Sequence, residues 1–446
     1  MRDFTTGSIS KPLISFAAPM VIGNLFQQMY TMVNAVVVGR FVGGGSLAAV
    51  GVSMNVVIFL TSVLIGLTAG SAVVIAQFFG ARQLDRLKSA VSVSIIYLAV
   101  LSALLTFLGI YFAPQILRLL DTSPDIFDEA VLYMRVQMAG VVCLVYYDMY
   151  SAYLRALGET RRPLYFLMFS VVLSGFLSVF LVVVYKLGVA GAAISTVFSQ
   201  LVAAVLCYQY TRRKVPVLRI KKLRFDFKLF RLILRYGIPS ALQLSLVSLA
   251  TLTITRLINS FGSAAMAGIT AVSRIDQFAI MPVSTLGMAT STFVAQNMGA
   301  GLEDRARKVF HIAIVYMLVC AVCMSALLVA FSSPLISLFL DKADPSGPEI
   351  LRLGRDYMHV MVIFYFLFAI LFAFNGFFRG VGDAVMAMVF PVGSLIIRTL
   401  SAYGLVGFAG MGPEALAWSI PIGWGLASIG SWVYYKKRLW VGKAIT

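Results

Sequence analysis

Apolar residues along this chain come in long runs, not in the narrow stripes of a soluble helix. Twelve such runs can be marked, at 13–39, 47–79, 90–119, 131–156, 163–186, 189–211, 237–259, 264–298, 309–340, 357–378, 384–406 and 415–435. At 1.5 Å of rise per residue, about 20 residues cross a hydrocarbon core ~30 Å thick. Each run is long enough, and most connections between them are short. The pattern predicts an all-α membrane protein with twelve transmembrane helices.

Composition agrees and narrows the function. Of 446 residues, 60% are hydrophobic and only 12% charged, about half the charge needed to cover a water-facing surface. That excludes a cytosolic enzyme, a secreted disulfide scaffold and a nucleic-acid reader, even though the net charge is +18. The basic residues are unevenly placed. Alternate loops and both termini carry 26 of the 36 Lys and Arg, and ten of those lie between Arg212 and Arg235. By the positive-inside rule both termini face the cytoplasm, which predicts a multi-pass protein of the cell membrane that contacts lipid. The 212–235 stretch reads as a cytoplasmic linker. Cys143, Cys207, Cys320 and Cys323 all fall inside predicted spans, so extracellular disulfides are not expected. The first apolar run is too long for a cleaved signal and reads as a retained helix.

The chain repeats itself. Gln77-Phe78-Phe79-Gly80-Ala81 returns as Gln296-Asn297-Met298-Gly299-Ala300, at an offset of 219, and each is followed by Asp-Arg. Leu154-Arg155-Ala156-Leu157-Gly158-Glu159 returns as Phe378-Arg379-Gly380-Val381-Gly382-Asp383, at an offset of 224, and Pro19 matches Pro239. Two six-helix halves of the same topology predict pseudo-symmetric lobes, 1–211 and 237–446, joined by the linker 212–236. Paired lobes of this kind enclose a central cavity and give alternating access by rocking.

At these elements, and at Pro421-Ile422-Gly423-Trp424, the sequence resembles the multidrug and toxic compound extrusion (MATE) transporters over essentially its whole length. The resemblance implies a secondary antiporter, not an enzyme, that exports small organic compounds, often cationic or aromatic, in exchange for H+ or Na+. It implies no cofactor beyond the coupling ion, and the protein is expected to act as a monomer. No G-x-x-x-x-G-K-[ST] occurs, so nothing suggests direct use of ATP. A lipid or oligosaccharide flippase of related fold is the alternative. Such proteins more often carry extra helices and a strongly charged cavity, against which twelve spans and two deep acids argue.

Only two carboxylates, Asp148 and Asp276, lie deep in apolar runs, and an intramembrane acid is costly enough to be a functional candidate by default. Relatives carry an Asp on helix one, within Gln-Gln-x-Tyr-x-x-x-Asp. Here that pattern reads Gln27-Gln28-Met29-Tyr30-Thr31-Met32-Val33-Asn34, with Asn34 in the Asp position. An Asn and an Asp usual on helix five are replaced by Ser174 and Ser178, a helix-four Asn is replaced by Asp148, and the helix-six Thr is kept as Thr196. Counted from the helix ends, these residues lie roughly 15–20 Å above the cytoplasmic face. The expectation is therefore one N-lobe coupling site in which the acid has moved to Asp148 and Asn34, Ser174, Ser178 and Thr196 supply neutral oxygens. Protons are favoured over Na+, because a lone carboxylate held out of water takes up a proton more readily than one in solution. Asp276 is a second ion or substrate site, or a staple whose partner is Arg398, since Arg274 two residues away faces elsewhere. Gln27, Tyr30, Tyr146 and Tyr147 are candidate substrate contacts. Helices seven and ten, where some relatives carry acids, have none here.

Overall fold

The computed structural model describes residues 2–220, 222–340 and 345–445, without the side chains of 251 and 252. Among the described residues there is no strand, and all twelve apolar runs lie in helices. The chain divides into two compact units, residues 1–4 with 15–241 and residues 5–14 with 242–446. The sequence placed the boundaries at 211/212 and 236/237.

The first unit holds most of α1 (Ser10–Phe41), then α2 (Gly44–Gly80), α3 (Leu84–Leu119), α4 (Pro124–Ala139), α5 (Val141–Ala156), α6 (Arg161–Val179), α7 (Gly188–Lys214) and the start of α8 (Phe227–Asn259). The second holds the remainder of α8, α9 (Ser263–Ala279), α10 (Met281–Gly299), α11 (Glu303–Ala330), the short α12 (Ser332–Ser337), α13 (Gly347–Ile363), α14 (Tyr365–Val381), α15 (Ala384–Gly407) and α16 (Glu414–Lys436).

Length and apolarity alone pick out eight spanning helices and two bent pairs, ten spans in all. The two they omit are α1 and α16. Asn24, Gln27, Gln28 and Asn34 dilute the first, and Ser, Gly, Pro and Trp residues dilute the second. Both are still long enough to cross, at 32 and 23 residues. The internal repeat, which pairs Pro19 of α1 with Pro239 of α8, supports counting α1 as a span.

Two runs that the sequence reads as continuous are sharply bent, and the runs 264–298 and 309–340 are also divided, at Ile280 and Phe331. The α4–α5 pair bends by 45° and the α13–α14 pair by 49°, at Gly140 and Phe364. In both breaks the backbone ladder tightens to three-residue turns, Gly140 N to Gln137 O at 3.0 Å and Phe364 N to Met361 O at 3.2 Å. The two breaks are 224 residues apart, the same offset as the Leu-Arg motif. Glycine explains the first, because a Cβ at Gly140 would run into Val197. No Gly or Pro marks the second.

The repeated motifs have a local physical meaning. Gly158 and Gly382 sit in the left-handed region, with φ of +81° and +97°, which ends α5 and α14 at no steric cost. The acid that follows caps the next helix. Asp383 accepts from Met386 N at 3.3 Å, and Glu159 from Arg161 N and Arg162 N at 3.2 and 3.3 Å. Leu-Arg-x-x-Gly-Asp/Glu is thus a helix stop followed by a helix start.

Helices within each unit meet through small residues, as expected where lipid removes the hydrophobic drive to associate. Gly287 and Gly376 bring α10 and α14 into backbone contact, and Gly268 and Gly354 do the same for α9 and α13. Large apolar side chains such as Val172, Phe176 and Phe107 remain two-thirds exposed on outer faces, surface that a bilayer covers.

Candidate functional site

Four helices assemble a polar layer in the first unit. Asn34 on α1 donates from Nδ2 to Thr196 Oγ1 on α7 at 3.2 Å, and the Thr196 hydroxyl donates in turn to Ala192 O at 3.0 Å. The Tyr30 hydroxyl, one turn before Asn34, lies beside the Thr196, Ser174 and Asn34 side chains and is hydrogen-bonded to none of them. Tyr133 of α4 lies close to Tyr30 and accepts from Gln137 Nε2 at 3.1 Å. Ser174 and Ser178 on α6 are fully buried. Among the described residues Asn34 Oδ1, the Tyr30 hydroxyl and both serine Oγ atoms are buried without a hydrogen-bond partner. Buried polar atoms are usually paired, so four such oxygens on α1 and α6 are unusual.

The layer is closed on one side by apolar residues. Val37 and Val38 follow Asn34 by one turn, Val182 follows Ser178 by four residues, and Ala192 and Ala193 precede Thr196 by four and three. All five belong to one buried cluster with Val50, Tyr133 and Val189. Because α7 runs opposite to α1 and α6, these offsets place the cluster about one helical pitch, ~5.4 Å, beyond the polar layer on the same side. On α6 the seal is built from a π-helical segment, Phe180–Val184, whose closing bond is Tyr185 N to Phe180 O at 3.2 Å. Such segments often accompany functional sites. Gly191 packs against it where a Cβ would meet Leu181 at 3.1 Å. The sequence read 163–186 as a plain span, and its run of valines gives no sign of the wider turn.

Asp148 is placed differently from the sequence expectation. Among the described residues its ion-pair partner is Arg155, at 3.9 Å, with the two side chains 27% and 30% exposed. Arg155 also donates to Ser151 Oγ at 2.6 Å. No described contact joins Asp148 to Asn34, Ser174, Ser178 or Thr196, so the acid and the neutral oxygens are two places in the unit. A shared depth along helix axes does not specify which faces meet. Arg155 was missed as a partner, although a spacing of seven residues, two helical turns, puts it on the face of Asp148. The Tyr146 and Tyr147 hydroxyls donate to Ile95 O and Pro163 O at 3.1 and 3.4 Å, which ties them to the neighbouring α3 and α6. Gln27 is exposed, and its backbone carbonyl accepts from Thr31.

In the second unit Asp276 on α9 has one hydrogen-bond partner among the described residues. Its Oδ1 accepts from the Tyr365 hydroxyl at 2.6 Å, and Arg398 of α15 lies within electrostatic reach. Arg398 also faces the Tyr357 hydroxyl of α13, at 3.5 Å. The network links α9, α13, α14 and α15. Arg398, the partner the sequence proposed, makes no ion pair with Asp276 among the described residues; the direct contact is Tyr365, and the two tyrosines are additions that no spacing in the sequence signals.

Comparison with known proteins places this geometry in a family. The MatE family model matches twice, over residues 19–181 and 239–403, starting points 220 residues apart that reproduce the internal repeat. The chain is 28% identical over 440 residues to a probable multidrug resistance protein, YpnP, of Bacillus subtilis (strain 168), covering 98% of this chain and 97% of that one. It is 29% identical over 370 residues to a second from the same organism, YoeA, covering 81% and 79%. A solved outward-facing multidrug resistance MATE family transporter superposes with a TM-score of 0.91 at 22% identity, covering 98% and 97% of the two chains, which establishes a shared twelve-helix, two-lobe fold. With more than half of its length matched by the family model, and matched in both halves, the chain belongs to the MatE family of multi-pass membrane transporters.

Proposed function

We propose that the protein is a proton-coupled antiporter of the cell membrane that exports small organic compounds, cationic and aromatic ones among them. The observation that carries the coupling is the Asp148–Arg155 pair. At 3.9 Å it is a loose pair within a membrane span, and one proton on Asp148 removes its charge. Arg155 then retains Ser151 as its partner, so the pair can open without leaving the guanidinium bare. In this reading the carboxylate takes up a proton from one side and gives it up to the other as export proceeds. Asp276, hydrogen-bonded to Tyr365 and within the field of Arg398, serves as a staple between helices of the second unit.

Na+ coupling is the second reading, favoured by the buried oxygens of Asn34, Tyr30, Ser174 and Ser178. A hard cation prefers several oxygen ligands with a carboxylate among them, and no described contact brings an acid to that layer. Proteoliposomes decide between the two. Efflux of a fluorescent organic cation is expected to follow an imposed pH gradient at equal Na+, and to stay at background with a Na+ gradient at clamped pH. The reverse pattern would transfer coupling to the oxygen layer.

Both termini and the 212–236 linker are proposed to be cytoplasmic. Lys222 is exposed. In a background without the four native cysteines, Lys222→Cys should resist a membrane-impermeant maleimide in intact cells and react with it in inverted vesicles. Labelling from outside would reverse the topology.

A further inference from the structure

The second unit carries a groove that the transport reading does not use. It has a volume of about 540 Å³ and lies between the first half of α11, α14 and the end of α16. Its lining changes character along its length. Arg307, Lys436 and Arg438 stand at one end; Phe310, Tyr435 and Trp440 form a wall; Ile314, Leu318 and Ile370 line the rest.

The basic end is built and carries net positive charge. Arg307 lies over the Trp440 ring at 5.3 Å, and Lys436 over Trp432 at 5.2 Å. Glu303 serves two arginines at once, Arg307 at 2.5 Å and Arg438 at 3.0 Å. Asp304 is 93% exposed and 3.9 Å from Arg307. Among the described residues Lys436 has no ion pair and the Arg307 Nε is buried without a hydrogen-bond partner. Two arginines and a lysine thus stand against two acids, one of them almost fully exposed, which leaves the rim net positive.

The length of the groove identifies what fits. From Arg307 to Leu318 is eleven residues along one helix, about 16 Å at 1.5 Å each. One leaflet of a ~30 Å hydrocarbon core is about 15 Å. The cations mark the interface where α11 begins and α16 ends, with Trp and Tyr at the level such residues favour. We propose that this groove binds one anionic phospholipid, its phosphate held by Lys436, Arg438 and Arg307 and one acyl chain lying along Phe310, Ile314 and Leu318. A free phosphate would use the cations and leave the apolar length unfilled. A zwitterionic lipid would fill it and bring no net negative charge to the rim.

The test uses the full-length protein in neutral detergent, titrated with phosphatidylglycerol or phosphatidylcholine, with bound lipid counted by native mass spectrometry. Phosphatidylglycerol is expected to bind on the order of tenfold more tightly than phosphatidylcholine. Lys436→Gln with Arg438→Gln should erase that preference. Arg212→Gln with Arg213→Gln, which removes equal charge from an exposed site elsewhere, should leave it intact. Ile314→Trp fills the groove without altering charge and should weaken both lipids several-fold. The rim residues are exposed, so their variants keep the test valid should Ile314→Trp fail to fold. Equal affinity for the two lipids, a preference that survives the rim double variant, or displacement of phosphatidylglycerol by glycerol phosphate would each overturn the proposal.

Discussion

Asp148→Asn is expected to abolish export driven by a pH gradient, lowering the initial rate in proteoliposomes at least 100-fold while substrate binding stays within about threefold. Asparagine keeps the volume of the side chain and loses only the group that can exchange a proton. The pair with Arg155 is lost as well, but that pair is long and both side chains are partly exposed, so the change should be well tolerated by the fold. An uncoupled exchange assay, substrate against labelled substrate with no gradient, provides the control. Exchange should persist if Asp148 couples and fail if it only supports the helix. An Asp148→Asn protein that still exports at the normal rate along a pH gradient would remove this residue from the mechanism and leave the oxygen layer as the coupling site.

The same structure revises what a second-site acid should do. If Asp148 and Asn34 shared one pocket, Asn34→Asp added to Asp148→Asn would restore the arrangement usual in the family and recover transport. The described contacts put Asn34 against Thr196 and beside Ser174 and Tyr30, while Asp148 faces Arg155. The double variant is therefore expected to stay inactive along a pH gradient. A carboxylate at 34 would meet no cation among these neighbours, and Arg155 would still lack its counter-charge.

Gly376→Val should have the largest effect on folding. Gly376 of α14 crosses Gly287 of α10 so closely that a Cβ would fall on the Gly287 carbonyl oxygen, well inside van der Waals contact. The obstacle is backbone, which no rotamer change can move, so the helices must part along a crossing that includes the fully buried Phe293 and Phe377. Overpacking of this kind costs about 3 kcal/mol or more. Little monodisperse protein should survive fluorescence-detected size exclusion after mild heating. Gly51→Ala is the comparison. Gly51 lies within α2 and a Cβ there meets nothing within 4 Å, so the change should be neutral or stabilising by up to about 1 kcal/mol. Equal losses in the two variants would show that the close crossing at Gly376 is not what the valine disrupts.

The helices, their number and their repeat were legible in the sequence because each depends on local or periodic information. Run length sets what spans a bilayer. The same Gly and acid, recurring 224 residues apart, set where one helix stops and the next begins, and they do so through backbone conformation and capping within a few residues. The scarcity of deep acids likewise singled out Asp148 and Asp276 without any structure. Asp276 with Arg398 could be anticipated because a buried charge needs an opposite one and few were available.

Which faces meet was decided only by tertiary structure. Equal depth placed Asp148 with Asn34, Ser174, Ser178 and Thr196, but depth is a coordinate along the helix, and contact also requires the rotation about its axis. That rotation follows from the packing of neighbours. The bend at Phe364 and the π segment at Phe180–Val184 show the same limit, since neither has a residue that demands it. The bend recurs where Gly140 breaks the first repeat, and the π turn forms where Gly191 admits α7 to close contact. Local sequence sets which segments become helices, and the shape of what packs against them sets where those helices yield.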